Sequence, residues 1–173
     1  MEKEFYEKQR FPLWMRILIT VGITAILGLM LYEKDVDFTK QATFFGDYVP
    51  VIVLGFVIAL FWIFNLQTIV NKDGVYVKFV PFQRKFKAFA WEDIVSSEVK
   101  KYNPLLETGG WGFKVQLNIS FNKKLTTAYN ISGNKCLFLH LNSGKKILIG
   151  TQKAQELDEY LKDITSVSKK RKL

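Results

Sequence analysis

The stretch that decides the architecture runs from residue 13 to residue 32 and reads LWMRILITVGITAILGLMLY. Its 20 residues carry one charge, Arg16, and a helix of that length measures about 30 Å, the thickness of a bilayer's hydrocarbon core. Arg16 lies within one turn of the end, where its long side chain reaches the interface, and Trp14 and Tyr32 stand at the two edges. The pattern predicts a transmembrane helix over residues 13–32.

A second apolar run, VPVIVLGFVIALFWIFNL at residues 49–66, has no charge in 18 residues and predicts a second transmembrane helix. Pro50 falls in its first turn, where the missing N–H breaks no hydrogen bond. The alternatives are two buried helices of a soluble domain or, for the first run, a cleaved signal peptide. Residues 29–37, LMLYEKDVD, lack a small-x-small cleavage site, which favours an uncleaved anchor.

The distribution of Lys and Arg predicts the orientation of this helical hairpin. The connection 33–48 contains only Lys34 and Lys40, whereas its flanks are more basic, with Lys3, Lys8, Arg10, Arg16, Lys72, Lys78, Arg84, Lys85 and Lys87. Because positive flanks stay on the cytoplasmic side, we expect a multi-pass protein of the inner (cytoplasmic) membrane with both termini in the cytoplasm.

Small residues recur four apart on each apolar run: Thr20, Thr24 and Gly28 on the first, Gly55 and Ala59 on the second. Such spacing lets helix backbones approach closely in lipid. We expect these residues to mediate contact either between the two helices of one hairpin or between two copies of the chain. Neither run contains Asp, Glu or His, the groups that an ion or proton pathway needs.

From residue 67 the pattern changes to short alternating segments. Asp73-Gly74 predicts a hairpin, Trp91-Glu92-Asp93-Ile94 a turn, and strands are expected at 112–121 and 136–141. In the strand 136–141 the leucines point one way and Phe138 and His140 the other, and KKILIG at 145–150 completes a hairpin with it. Asn142-Ser143-Gly144 marks the next turn, and Thr151 precedes a helix whose apolar face comprises Leu157, Tyr160, Leu161 and Ile164.

The predicted organisation is therefore a cytoplasmic segment 1–12, a two-helix hairpin 13–66 with spans 13–32 and 49–66, a mainly-β domain 67–165 and a basic tail 166–173.

The phrases AWEDIVSSEV at 90–99 and LHLNSGKKILIGTQKAQELDEYL at 139–161 resemble the pleckstrin-homology-like domains of bacterial membrane proteins. YNPLLETGGWGFK at 102–114 and AYNISGNK at 128–135 are similar to a family of small two-helix membrane proteins with this domain. The resemblance covers residues 13–165 and implies a membrane α-helical hairpin plus a mainly-β barrel closed by a C-terminal α-helix. It implies no reaction or ligand, and Cys136 stands where the pattern has a small residue, usually Gly.

The residues that most often carry chemistry favour structural roles here. Gly109-Gly110-Trp111-Gly112 lacks the strand-then-helix context of a phosphate loop, which leaves a bulge or an exposed recognition loop around Trp111. Glu92, Asp93 and Glu98 fit solvated or turn-capping positions, and His140 and the lone Cys136 have no neighbouring catalytic partner. We therefore predict no enzyme activity, no catalytic residue, no cofactor and no metal site.

The basic charge carries the functional signal. The chain has a formal charge of +9, and residues 67–173 hold 19 Lys and Arg against nine Asp and Glu. The segment 77–89, VKFVPFQRKFKAF, interleaves cations with phenylalanines, so it either lies against headgroups or forms a hairpin with lysines in water. The candidate lipid- or partner-binding residues are Lys78, Arg84, Lys85, Lys87, Lys100, Lys101, Trp111, Lys169, Lys170, Arg171 and Lys172.

These patterns predict a membrane-anchored binding or scaffolding module at the cytoplasmic face, with anionic lipid headgroups, a protein or a second copy as partner. The alternative function is an accessory subunit of a transporter or secretion complex that acts through the helices. Nucleic acid is not expected as a partner, because no recognition motif appears and a short tether keeps the domain near the bilayer.

Overall fold

The structure, a computed structural model, describes residues 4–33, 48–103, 112–116 and 126–170. The chain forms two compact units, one made of Met1–Arg10 with Asn65–Leu173 and the other of Phe11–Phe64. The connection between the two predicted spans, at 34–47, lies outside the described residues.

The smaller unit contains the two apolar helices, α1 (Leu13–Glu33) and α2 (Val49–Ile63). The Pro12 carbonyl accepts the first hydrogen bonds of α1 from the Met15 and Arg16 amides, both at 3.1 Å. Within α1, Leu13–Met30 is long and apolar enough to cross a membrane, and none of it is buried. The prediction of a membrane-length helix near the N-terminus is confirmed at this level.

The second helix is shorter than the sequence predicts. α2 ends at Ile63 after 15 residues, which is about 22 Å of helix against a hydrocarbon core of about 30 Å. Asn65 and Leu66, predicted inside the span, begin a strand instead. A second membrane-spanning helix is therefore not shown by the described residues.

The larger unit is built from nine described strands and one helix. The strands are β1 (Phe5–Arg10), β2 (Asn65–Val70), β3 (Gly74–Val80), β4 (Lys87–Ala90), β5 (Ile94–Lys101), β6 (Gly112–Gln116), β7 (Thr126–Asn130), β8 (Lys135–Leu141) and β9 (Lys146–Gly150); the helix is α3 (Ala154–Lys170).

The predicted closed barrel is wrong. The strands pair into a four-stranded sheet in the order β1-β2-β3-β4 and a five-stranded sheet in the order β5-β8-β9-β7-β6. A 3₁₀ turn at Trp91–Asp93 carries the chain from β4 into β5, and no ladder joins the two sheets among the described strands. The coarser prediction, a mainly-β domain followed by a C-terminal helix, is confirmed.

The turns and faces of this domain follow the predicted pattern. At the β2–β3 hairpin, Asn71 Oδ1 accepts hydrogen bonds from the backbone amides of Asp73 and Gly74. A Cβ atom at Gly74 would overlap the Phe89 carbonyl oxygen. In β8 the side chains of Leu137 and Leu139 are buried, whereas Phe138 and His140 are partly exposed. On α3 the predicted apolar face is confirmed, since Leu157 and Leu161 are buried and Tyr160 and Ile164 half-buried.

The N-terminal segment belongs to the sheet rather than standing apart from it. β1 pairs antiparallel with β2 and turns Phe5, Glu7 and Gln9 inward. The buried Glu7 carboxylate accepts hydrogen bonds from Thr151 Oγ1 (2.6 Å) and the Gln152 amide (2.7 Å). These bonds attach β1 to the turn that leads into α3.

Candidate functional site

The strongest candidate site is the connection between β3 and β4, residues 81–86, which follows a cis Val80–Pro81 peptide bond. Gln83 holds it in place. The backbone N–H of Gln83 donates to the Phe79 carbonyl (2.8 Å), and the side-chain Oε1 accepts a hydrogen bond from the Phe79 backbone N–H (2.9 Å). The side-chain Nε2 lies 3.5 Å from the Tyr129 hydroxyl. Gln83 thus attaches the connection to its own strand and to the second sheet.

The connection presents phenyl rings and cations to solvent together. Phe82 is 64% exposed and stacks on the Phe79 ring with centroids 5.9 Å apart, and Phe86 is 38% exposed. The Lys78 ammonium lies 5.6 Å from the centroid of the Phe86 ring, within the range of a cation–π contact. Arg84 and Lys85 are exposed between the two rings in sequence. We call residues 81–86 with Lys78 the aromatic-basic loop.

Lys87, predicted as part of the same group, faces a different space. It pairs with Val77 on the inner side of the sheet, and its ammonium lies 5.5 Å from the Phe89 ring centroid. Lys87 and Phe89 line a cavity of about 460 Å³ together with Asp93, Asn142, Lys145 and Ile147 among others. Lys87 and Lys78 therefore lie on opposite faces of the first sheet.

The outward side of the first sheet adds cations from β1. Lys8 pairs with Gln67 and Gln67 with Lys78, so these three residues form one row across β1, β2 and β3. The next row comprises Arg10, Asn65 and Val80, and Val80 leads directly into the aromatic-basic loop. Lys8 and Arg10 are both exposed.

Lys100 and Lys101 lie on β5 in the other sheet and do not join the loop. The Lys100 ammonium lies 2.9 Å from a Glu98 carboxylate oxygen and 3.9 Å from the Phe138 ring centroid. The hydrogen bond from Lys100, and then its charge, lower the pKa of Glu98. Because Glu98 partly neutralises Lys100, this lysine adds little attraction for an anion.

The remaining predicted residues lie at or beyond the limits of the described chain. Lys169 and Lys170 are the last residues of α3, and Trp111, Arg171 and Lys172 lie outside the described residues.

The residues considered for catalysis occupy structural positions. Glu92 and Asp93 are exposed at the 3₁₀ turn, where their carbonyl oxygens accept hydrogen bonds from Asn142. His140 packs against the Phe138 ring with centroids 4.8 Å apart, and Cys136 is buried.

Lys8, Arg10 and Gln83 are the residues of this region that sequence reasoning missed. The alternation of Phe5–Arg10 is a strand signal, but its inward positions include Glu7 and Gln9, so no apolar pattern marks it. No protein-family model matches the chain, and a search of curated proteins found no match either.

Proposed function

We propose that the chain is a membrane-anchored binding or scaffolding module whose mainly-β unit contacts anionic lipid headgroups at the cytoplasmic face of the inner membrane. The proposal includes the likeness to pleckstrin-homology-like domains of two-helix bacterial membrane proteins. That likeness is supported by a strand-rich unit that ends in an amphipathic helix and by the Trp-x-Asp-Ile phrase at its 3₁₀ turn.

The observation that carries the proposal is the aromatic-basic loop. Phe82 and Phe86 are exposed on a connection without carboxylates, beside Lys78, Arg84 and Lys85. Phenyl rings partition into the headgroup region, and each basic group near an anionic leaflet contributes about 1 kcal/mol. The loop therefore combines the two terms that attract a surface segment to an anionic bilayer.

The position of the loop in the chain supports the same proposal. Its connection 81–86 follows Val80, which lies in the row of Arg10 and Asn65. At these two residues the chain leaves the sheet for α1 and returns from α2. Arg10 is three residues from Leu13, and three Cα–Cα steps span at most about 11 Å. If α1 enters a bilayer, the loop's end of the sheet is kept close to its surface.

The test uses the full chain in lipid nanodiscs. Cys136 is the only cysteine and is buried, so an environment-sensitive fluorophore at Phe82→Cys reports the loop alone. We expect its emission to shift to the blue and rise in discs containing anionic phosphatidylglycerol relative to neutral phosphatidylcholine. The shift should disappear at high salt, because exposed charges are screened within a Debye length of about 3 Å at 1 M.

The matched control carries the fluorophore at Asp73→Cys, in the β2–β3 turn at the other end of the same sheet. Its emission should not depend on lipid charge. Equal responses at positions 73 and 82, or no response at 82 in any anionic disc, would contradict lipid contact through this loop.

A second candidate function is an accessory subunit that acts through its helices. It is favoured by the free space beside Gly28 and Gly55, where an added Cβ meets no atom within 4 Å in the described chain. Glycines with open space let another helix approach closely.

Gly28→Leu and Gly55→Leu discriminate between the two candidates. They should abolish co-purification of a partner helix in mild detergent while leaving the lipid response at position 82 intact. If both substitutions leave every interaction unchanged, the accessory role is excluded.

A further inference from the structure

Charges in and around the first sheet are separated along its strands. At the aromatic-basic end the outward face and the loop carry five cations: Lys8, Arg10, Lys78, Arg84 and Lys85. Lys87 lies at the same end but on the inner side of the sheet. The opposite end carries four exposed carboxylates, in the residue before β1, the β2–β3 turn and the 3₁₀ turn after β4: Glu4, Asp73, Glu92 and Asp93. One exposed cation, Lys72, lies in the same β2–β3 turn. The sheet is therefore positive at one end, whereas carboxylates outnumber cations at the other.

Within the four strands the only carboxylate is Glu7, and it does not offset the outward cations. Glu7 faces inward, is buried, and accepts hydrogen bonds from Thr151 and Gln152. On the outward face, the row Lys8–Gln67–Lys78 places one lysine on each side of the neutral Gln67. No ion pair involving Lys8 or Arg10 is present among the described residues.

From this arrangement we infer that β1, the strand before the first apolar helix, supplies two of the five cations of the lipid-binding surface. The headgroup site is then composite, with Lys8 and Arg10 from before α1 and Lys78, Arg84 and Lys85 from after α2. Its ligand is the phosphate-bearing surface of an anionic membrane. The inference rests on the proposed function and extends it to Lys8 and Arg10, which are far from the loop in the sequence.

Charge complementarity decides the occupant. Five cations without an outward carboxylate attract an anion, whereas the acidic end is repelled by an anionic leaflet, so the sheet orients with its positive end toward the lipid. That end is also the one from which the chain enters and leaves the apolar helices, as the Arg10–Asn65 pairing shows. This proximity to the apolar helices in the chain would not strengthen binding of a soluble polyanion. It therefore favours the membrane surface as the partner.

The experiment keeps the fluorophore at position 82 and changes β1 in the full chain in nanodiscs. Lys8→Gln with Arg10→Gln should weaken loop docking on phosphatidylglycerol discs about 25-fold, since each basic group near the surface contributes about fivefold. Arg84→Gln with Lys85→Gln should have a similar effect. Lys145→Gln with Lys146→Gln changes two exposed lysines, the last residue of the β8–β9 turn and the first residue of β9, and should change docking by less than about twofold.

Lys8→Arg with Arg10→Lys retains both charges and should dock as the wild type does. Gln67→Lys completes a row of three cations and should strengthen docking about fivefold on anionic discs and not at all on neutral ones. This gain of function does not depend on whether the Gln variants fold. Discs present both bilayer faces, so changes in membrane orientation do not affect the readout.

The outcomes separate the two proposals. If wild-type emission is insensitive to phosphatidylglycerol, the proposed function fails. If the Arg84/Lys85 pair matters but the Lys8/Arg10 pair and Gln67→Lys have no effect, the function stands and the composite site is overturned. Tight binding of single-stranded RNA by the chain in neutral discs, lost in the same β1 variants, also overturns it and assigns the surface to nucleic acid.

Discussion

Arg10 and Asn65 face each other across the β1–β2 pair, although both apolar helices lie between them in the chain. The chain thus leaves the first sheet after Arg10, forms both apolar helices, and returns to the neighbouring strand at Asn65. Two paired strands cannot lie on opposite sides of a bilayer, because hydrogen bonds do not form across the hydrocarbon core. Phe5–Arg10 and Asn65–Val70 must therefore lie on the same side of any membrane that the chain crosses.

Glu7 should be essential for holding β1 in place. Glu7→Ala removes hydrogen bonds to Thr151 Oγ1 and the Gln152 amide in a buried site, and we expect it to lower the free energy of unfolding by about 3 kcal/mol. Denaturant unfolding in detergent measures the loss. The control is Glu4→Ala, an exposed carboxylate three residues earlier, with an expected change below about 0.5 kcal/mol. Equal effects would mean that the Glu7 bonds contribute nothing.

Gly150 should tolerate no side chain while Asn130 is present. An added Cβ would overlap the Asn130 Oδ1 atom, and the Gly150 carbonyl already accepts Gln9 Nε2 at 2.5 Å. Gly150→Ala should therefore destabilise the protein by about 1–3 kcal/mol through overpacking. Asn130→Ala in the same chain relieves the overlap, so the double variant should lose less than the sum of the two single losses. Strict additivity in denaturant unfolding would refute the clash.

Gln83 should control the order of the aromatic-basic loop. Gln83→Ala removes its side-chain bonds to the Phe79 amide and the Tyr129 hydroxyl, which predicts a loss of about 1–2 kcal/mol and faster amide exchange at 79–86. Gln155→Ala, an exposed glutamine on α3, is the matched control. Unchanged exchange in the loop of the Gln83 variant would show that Gln83 does not position it.

Tyr129 should make the protein sensitive to alkali. Burial raises the pKa of Tyr129 above its ordinary 10.0, against a smaller opposite effect of the Gln83 hydrogen bond. A pKa raised on folding stabilises the folded state below the unfolded pKa, and this stabilisation is lost as the pH rises through the folded pKa. The free energy of unfolding should therefore fall above about pH 10, and less steeply in Tyr129→Phe. Tyr76→Phe, half-buried on the outward face, is the control; parallel slopes in wild type and Tyr129→Phe would contradict the prediction.

Local patterns in the sequence predicted the local parts of this fold. Asp73-Gly74 marks the first hairpin, the alternation at Leu137 and Leu139 marks β8, and the 3.6-residue period marks α3. The end of α2 was missed because Asn65-Leu66 extends an apolar run without a charge, although the two residues begin β2. Two sheets replace the predicted barrel because strand pairing joins residues far apart in the chain, such as β7 with β9, and no short pattern encodes it.

The candidate site divides in the same way. Arg84 and Lys85 can be identified from sequence because cations and phenylalanines are adjacent there. Lys8 and Lys78, by contrast, share a row of the sheet only because of the register of two strand pairs. Lys87 belongs to the same run of sequence but faces inward, because side chains alternate between the two sides of a strand. A run of charged residues in the sequence therefore predicts that a basic surface exists, and strand register determines which charged residues lie on it together.

Both termini should be cytoplasmic, which follows from the Lys and Arg excess on the flanks of the apolar runs over the connection 33–48. Ser168→Cys should escape a membrane-impermeant thiol reagent in intact cells, whereas Thr43→Cys in the connection should react. The pairing of β1 with β2 adds a second requirement, because Glu4→Cys must then behave as Ser168→Cys does. Cys136 is buried, so the wild-type chain provides the background. Labelling of Ser168→Cys in intact cells would reverse the orientation, and labelling of Glu4→Cys without Ser168→Cys would contradict the β1–β2 pairing itself.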